Sequence, residues 1–223
     1  MPLQTFYNLD KTRKSNILKV AYEEFAFNNY QTASLSNIVK TLGVAKGSFY
    51  RYFENKFDLY SYLIQNAYVM RMTQLNILLE NEDLSFFEII RENFRDKILF
   101  DLNYPLESIF LYNALQESNM EETGSVVKDM ISEVLKFITS LVRKYQQKGE
   151  LNPMISPDIA AHFIFQNQLG IYDYLAKFKG INFKEVIKNG RLFSVSEEEI
   201  MYVVDEMLAI IKTGLEFNIT KND

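Results

Sequence analysis

The sequence contains no cysteine, one histidine, four prolines and eight glycines in 223 residues. Without thiols there is no disulfide framework, no thiolate metal site and no sulfur nucleophile. A lone imidazole, His162, leaves almost nothing for zinc enzymes or His-based hydrolases, which need several imidazoles or one beside a nucleophile. The few glycines and prolines argue against fibrous and low-complexity chains. No stretch reaches the roughly 18 uninterrupted apolar residues that span a bilayer. The opening residues lack the apolar centre of a secretory signal and already carry Asp10. The expectations are a cytoplasmic protein with no metal, no cofactor, no membrane partner and no enzymatic activity.

With 48% hydrophobic and 24% charged side chains, the chain can build a sizeable core under a soluble surface. Its net charge of -5 is unevenly spread. Residues 1–56 hold eight bases against four acids, a net +4, which leaves -9 on the remaining 167 residues. Phosphate contacts come from local clusters of Lys and Arg, so a basic head on an acidic body points to a head that meets a polyanion.

Helical periodicity runs through most of the sequence and alternating strand patterns are scarce, so the fold class is all-α. A first helix spans about Asp10 to Asn29, with Ile17, Leu18, Ala21 and Phe25 on one stripe. A short helix follows Ser34, turns Leu35, Ile38 and Leu42 inward, and stops at Gly43, suited to a left-handed C-cap. Pattern resumes at Lys46 and runs to Phe53, giving two short helices joined at a glycine, a helix-turn-helix arrangement. A long helix then runs from Lys56 to about Glu80. Further helices are expected near 84–101, 105–117, 126–148, 157–178 and 197–217. Ser156-Pro157 and Ser196 to Glu199 are start signals, and Gly149, Gly180 and Gly190 are stops. The division is a head of residues 1–55 and a body of 56–223.

The stretch from Gly43 to Lys56, GVAKGSFYRYFENK, carries the most information. It resembles the DNA-binding domain of TetR-family transcriptional regulators, with a Gly-Val turn, a Gly-Ser-aromatic-Tyr recognition helix, a following Phe and a Lys opening the next helix. The likeness extends over about residues 13 to 60. Val39 and Ala33 depart from it, since the family commonly has Ala and Thr there.

A recognition helix must approach the floor of the major groove, so small residues belong on its outer face and bulky ones beneath. Gly47 and Ser48 are small, whereas Phe49 and Phe53, four apart, point together into the core. Lys46 and Tyr50 share the opposite side. Lys46 and Ser48 can reach a base edge or a phosphate, and Tyr50 and Tyr52 can aim hydroxyls at phosphates flanking the groove. Lys56 is poorly placed for its own helix dipole and well placed for an anion. The resemblance implies the same roles and adds Ala45, Ser34 and Ser36 to the DNA-binding set; Ser34 is also a natural cap for its helix.

The resemblance further implies a homodimer, through helices near 157–178 and 197–217, and an effector pocket in the body. Both helices are apolar around most of their circumference, which requires burial on more than one side. Ile200, Val203, Val204, Met207, Leu208, Ile211 and Leu215 form a broad stripe on the second. Aromatic density in the body permits an apolar cavity, with Phe110, Tyr112, Phe137, His162, Phe163, Gln166 and Tyr172 as candidate lining. The expected function is that of a dimeric repressor, released from a pseudo-palindromic double-stranded operator by a small apolar or amphipathic effector. The alternative is a helical carrier or scaffold that stores an apolar molecule without binding DNA.

Overall fold

Helix start and stop signals written in the sequence set most of the architecture. A computed structural model of the protein describes residues 1–79, 83–179 and 195–215. Among the described residues the elements are all α-helices: α1 (Gln4–Tyr7), α2 (Lys11–Phe27), α3 (Leu35–Thr41), α4 (Lys46–Phe49), α5 (Lys56–Leu79), α6 (Phe86–Asn103), α7 (Pro105–Gln116), α8 (Gly124–Gln147), α9 (Pro157–Phe178) and α10 (Glu197–Leu215). The all-α expectation holds. Glu80, Phe217, Gly180 and Gly190 lie outside the described residues, as does the side chain of Tyr172.

The Asp10 carboxylate accepts the Arg13 N–H at 2.8 Å and opens α2. Gly43 stops the chain after α3 with φ +65, and Gly149 follows α8 with φ +79. Both sit in the left-handed region that costs glycine nothing. Ser196 and Glu199 exchange the reciprocal bonds of a capping box, Glu199 N–H to Ser196 Oγ at 3.2 Å and Ser196 N–H to Glu199 Oε2 at 2.9 Å. The bonds the carboxylate accepts from Ser196, main chain first and hydroxyl second, hold the Glu199 carboxyl below its ordinary value. Ser156 differs from its expected role. It stands at the N-cap of α9, but its hydroxyl makes no cap bond, and Pro157 supplies the start through its fixed φ.

The chain divides into two units. The first comprises Met1–Arg71 with Tyr104–Met130. Here α2 packs against both α3 and α7. Phe110 of α7 is the hub, its ring centroid 5.5 Å from Tyr22, 6.0 Å from Phe25 and 5.3 Å from Tyr60. Such ring pairs add about 0.5–1.5 kcal/mol each beyond the area they bury. Tyr22 spends its hydroxyl on the Leu63 carbonyl and Asn66 Oδ1, both at 2.9 Å, and burial pushes its phenol far above the ordinary range.

The second unit comprises Met72–Asn103 with Ile131–Asp223. Within it, α10 packs on α6 and α9. Arg91 grips Asp205 through two bonds, 2.6 and 3.0 Å, and Arg95 reaches Glu197 at 3.0 Å. The buried face of α10 is Ile200, Met201, Val203, Val204, Leu208, Ile211 and Leu215, close to the stripe expected from spacing, except that Met201 is buried and Met207 only half so. Tyr145 anchors α8 by donating to the Leu84 carbonyl at 2.6 Å.

Candidate nucleic-acid interface

The helix-turn-helix forms from α3, the turn at Gly43 and α4. Ser34 caps α3, its Oγ accepting the Asn37 N–H at 3.4 Å while its own N–H donates to Glu24 Oε1 at 2.8 Å. Ser36 is exposed. The turn closes with the Val44 N–H on the Val39 carbonyl at 3.1 Å. Ala45, at the N-cap of α4, and Lys46 are exposed, and Ser48 is half-buried. Gly47 faces open space, with no heavy atom within 4 Å of where a Cβ would stand. Below them Phe49 and Phe53 are buried and stack with centroids 5.6 Å apart. Small residues outward and large ones inward is the arrangement that brings backbone close to a duplex.

Sequence periodicity extends the recognition helix to Phe53, yet α4 is one turn of four residues. Beyond Phe49 the chain tightens, the Tyr52 N–H bonding back to the Phe49 carbonyl at 2.8 Å, an i to i+3 link. Tyr50 remains exposed and Tyr52 half-buried at the rim. A cleft of about 40 Å³ lies beside Tyr52, lined in part by Arg13, Asn16, Val44 and Phe49, and is large enough only for water.

Lys56 has its ammonium turned onto the loop between α2 and α3. It donates to the carbonyls of Tyr30 at 2.7 Å and of Gln31 and Ala33 at 3.3 Å, and stands 4.5 Å over the Tyr30 ring. Three acceptors meet three donors. Lys56 therefore fastens the loop that leads into Ser34, and a phosphate could claim it only by drawing it from these carbonyls.

Two contributors were not visible in the sequence. Glu117, buried past the end of α7, accepts the Tyr30 N–H at 2.8 Å on one oxygen and the Tyr60 hydroxyl at 2.7 Å on the other. The separations of 87 and 57 residues leave no local pattern to betray it. The second is α1. Its single turn is too short for periodicity to register, and its only signal is Phe6, an aromatic residue in the polar lead-in.

The candidate effector residues are divided between the two units. Phe110 is buried at the hub of the first unit, where Tyr112 on the same helix is half-buried. In the second unit Phe137 is half-buried, whereas His162, Phe163 and Gln166 lie on an exposed face of α9. No group of three or more metal-ligating side chains occurs among the described residues, and no described helix is long and apolar enough to cross a membrane.

Residues 17–63 match the family described as bacterial regulatory proteins, tetR family. An uncharacterized HTH-type transcriptional regulator of Bacillus subtilis (strain 168), YvdT, is 24% identical over 153 residues, 68% of this chain and 76% of that protein. Among solved structures, a TetR family transcriptional regulator from Chloroflexus aurantiacus J-10-FL superposes with a TM-score of 0.76 at 25% identity, covering 98% of this chain and all of that one. The transcriptional regulator FadR from Bacillus subtilis, in complex with stearoyl-CoA, shares the fold with a TM-score of 0.66 at 19% identity, over 90% of this chain and 98% of that chain.

Proposed function

Since this chain is a DNA-binding transcriptional regulator belonging to the TetR family, we propose that it works as a homodimeric repressor whose grip on a pseudo-palindromic operator is loosened by an apolar or amphipathic effector. The observation that carries the reading is the open face of α4, where Gly47 projects nothing and Lys46, Ser48 and Tyr50 surround it. In this reading Ala45 and Gly47 let the backbone approach the groove floor, and Lys46 and Ser48 meet base edges or phosphates. Tyr50, Tyr52, Ser34 and Ser36 hold the backbone on either side. Lys56 serves the same surface from beneath by fixing the loop ahead of α3.

A single head buries little DNA surface, so two heads one helical turn apart are the economical solution. Support for pairing comes from α9 and α10. Beyond the stripe each buries in its own unit, they expose Ile159 and Phe163, and Tyr202 and Ile210, with Ile210 72% accessible. Apolar side chains of this size gathered on neighbouring helices mark a surface that another molecule covers. The amphipathic effector is supported by the bound stearoyl-CoA of the FadR relative. The head of 1–55 and body of 56–223 are the functional division, and the cytoplasm is where such a protein meets its operator. Selection of duplexes from a random pool by the purified protein tests the proposal. A dyad-symmetric site bound with steep salt dependence is expected; recovery of no preferred sequence would overturn it.

A further inference from the structure

We propose that residues Leu3–Tyr7 form a positioning strap that sets the pose in which Tyr50 and Tyr52 meet DNA, an inference that rests on the DNA-binding reading above. The segment lies outside the family match of residues 17–63. Its role follows from the turn after α4. The carbonyls of Ser48 and Phe49 accept the N–H groups of Arg51, Tyr52 and Phe53, but those of Arg51 and Tyr52 lie past the last of these bonds. The strap supplies donors to both. The Leu3 N–H donates to the Tyr52 carbonyl at 2.8 Å, and the Thr5 hydroxyl donates to the Arg51 carbonyl.

The strap is itself held on both sides. Phe6 is buried, its ring 5.0 Å from Phe53, 6.4 Å from Tyr52 and edge-on to Tyr62 of α5 at 5.4 Å. The Lys14 ammonium of α2 donates to the Tyr7 carbonyl at 2.7 Å. The backbone of Arg51 and Tyr52 is thus tied to a frame made by α2 and α5, and a one-turn helix that would fray alone keeps a fixed end. A side chain that must meet a phosphate within hydrogen-bond tolerance loses affinity when its backbone is free to drift.

Thr5→Val tests the strap, because it keeps shape and removes one donor. The probe is the duplex selected by the wild-type protein, with affinity read by fluorescence anisotropy and stability by thermal unfolding. Loss of one such bond predicts about fivefold weaker binding together with a small fall in melting temperature. In a background with both Tyr50→Phe and Tyr52→Phe, Thr5→Val should add little further loss, since the strap acts through those two hydroxyls. Phe6→Leu, which loosens the ring seat without burying a polar group, should weaken binding in the same direction. Lowered melting temperature with undiminished affinity in both variants would make the strap structural only and overturn the proposal. If the wild-type protein selects no duplex, the DNA-binding reading falls first and the strap with it; if it does and the variants bind equally well, the strap alone falls.

Discussion

Tyr60 and Glu117, 57 residues apart in the chain, meet in the first unit through a hydrogen bond of 2.7 Å. The other carboxylate oxygen of Glu117 takes the Tyr30 N–H, and Tyr30 in turn donates its hydroxyl to Glu122. Burial first, then the carboxylate acceptor, hold the Tyr60 phenol far above its ordinary value, which keeps it a donor to Glu117 at neutral pH. Glu117→Ala strands two donors. An unpaired buried group costs about 1–3 kcal/mol, so the variant should lose about 3 kcal/mol in urea unfolding, while Glu117→Gln, which retains one acceptor, should lose less.

The three glycines of the first unit make different demands. Gly43 needs its positive φ, and a Cβ on Gly124 would stand 2.6 Å from the Ser118 carbonyl oxygen. Gly47 needs neither, because a side chain there would point into open space. Gly47→Leu should therefore fold with unchanged or slightly raised stability, since leucine favours the helix. It should nonetheless lose operator binding by more than about tenfold, because the added bulk fills the groove-facing side. Parallel circular-dichroism melts and gel shifts separate the two effects.

Burial raises the Glu107 carboxyl above its ordinary value of 4.5. An acid raised in the folded state binds its proton more tightly there than in the unfolded chain, so stability falls as pH climbs through the raised value. At neutral pH the ionised group is a net cost. Glu107→Gln should melt higher than wild type at pH 7, and the gap should close as pH drops from the raised value toward 4.5. Melting curves across that interval check the sign.

Pairing through α9 and α10 makes a separate prediction. Phe163→Glu together with Ile210→Glu places two charges on the exposed apolar faces while leaving the buried stripes intact. Sedimentation velocity should show wild-type dimers and variant monomers. The monomers should retain the wild-type helix content and bind the full operator more weakly than a dimer does.

The helix-turn-helix was legible because its signals are local. Asp10, Ser34 and Gly43 each act within four residues, and the Phe49 and Phe53 pair follows from helical spacing. The short extent of α4 was not, since the one-turn helix and the tight turn after it carry the same apolar spacing as a longer helix. The inward turn of Lys56 depends on where three carbonyls of the preceding loop come to rest, which the composition of that loop does not announce. Which side each helix turns inward is likewise not announced by aromatic density along the chain, so Phe110 lies buried while Phe163 is exposed.

The bond from the Tyr30 main chain to Glu117 reaches across 87 positions. During synthesis the approach to α3 must wait, incomplete, until the ribosome has delivered the end of α7. An excised fragment ending at residue 55 would never receive that acceptor, nor the ammonium of Lys56 that clasps the same loop. Such a fragment would be a reader with an unset jaw, and the smallest piece expected to recognise DNA on its own extends just past the midpoint of the chain.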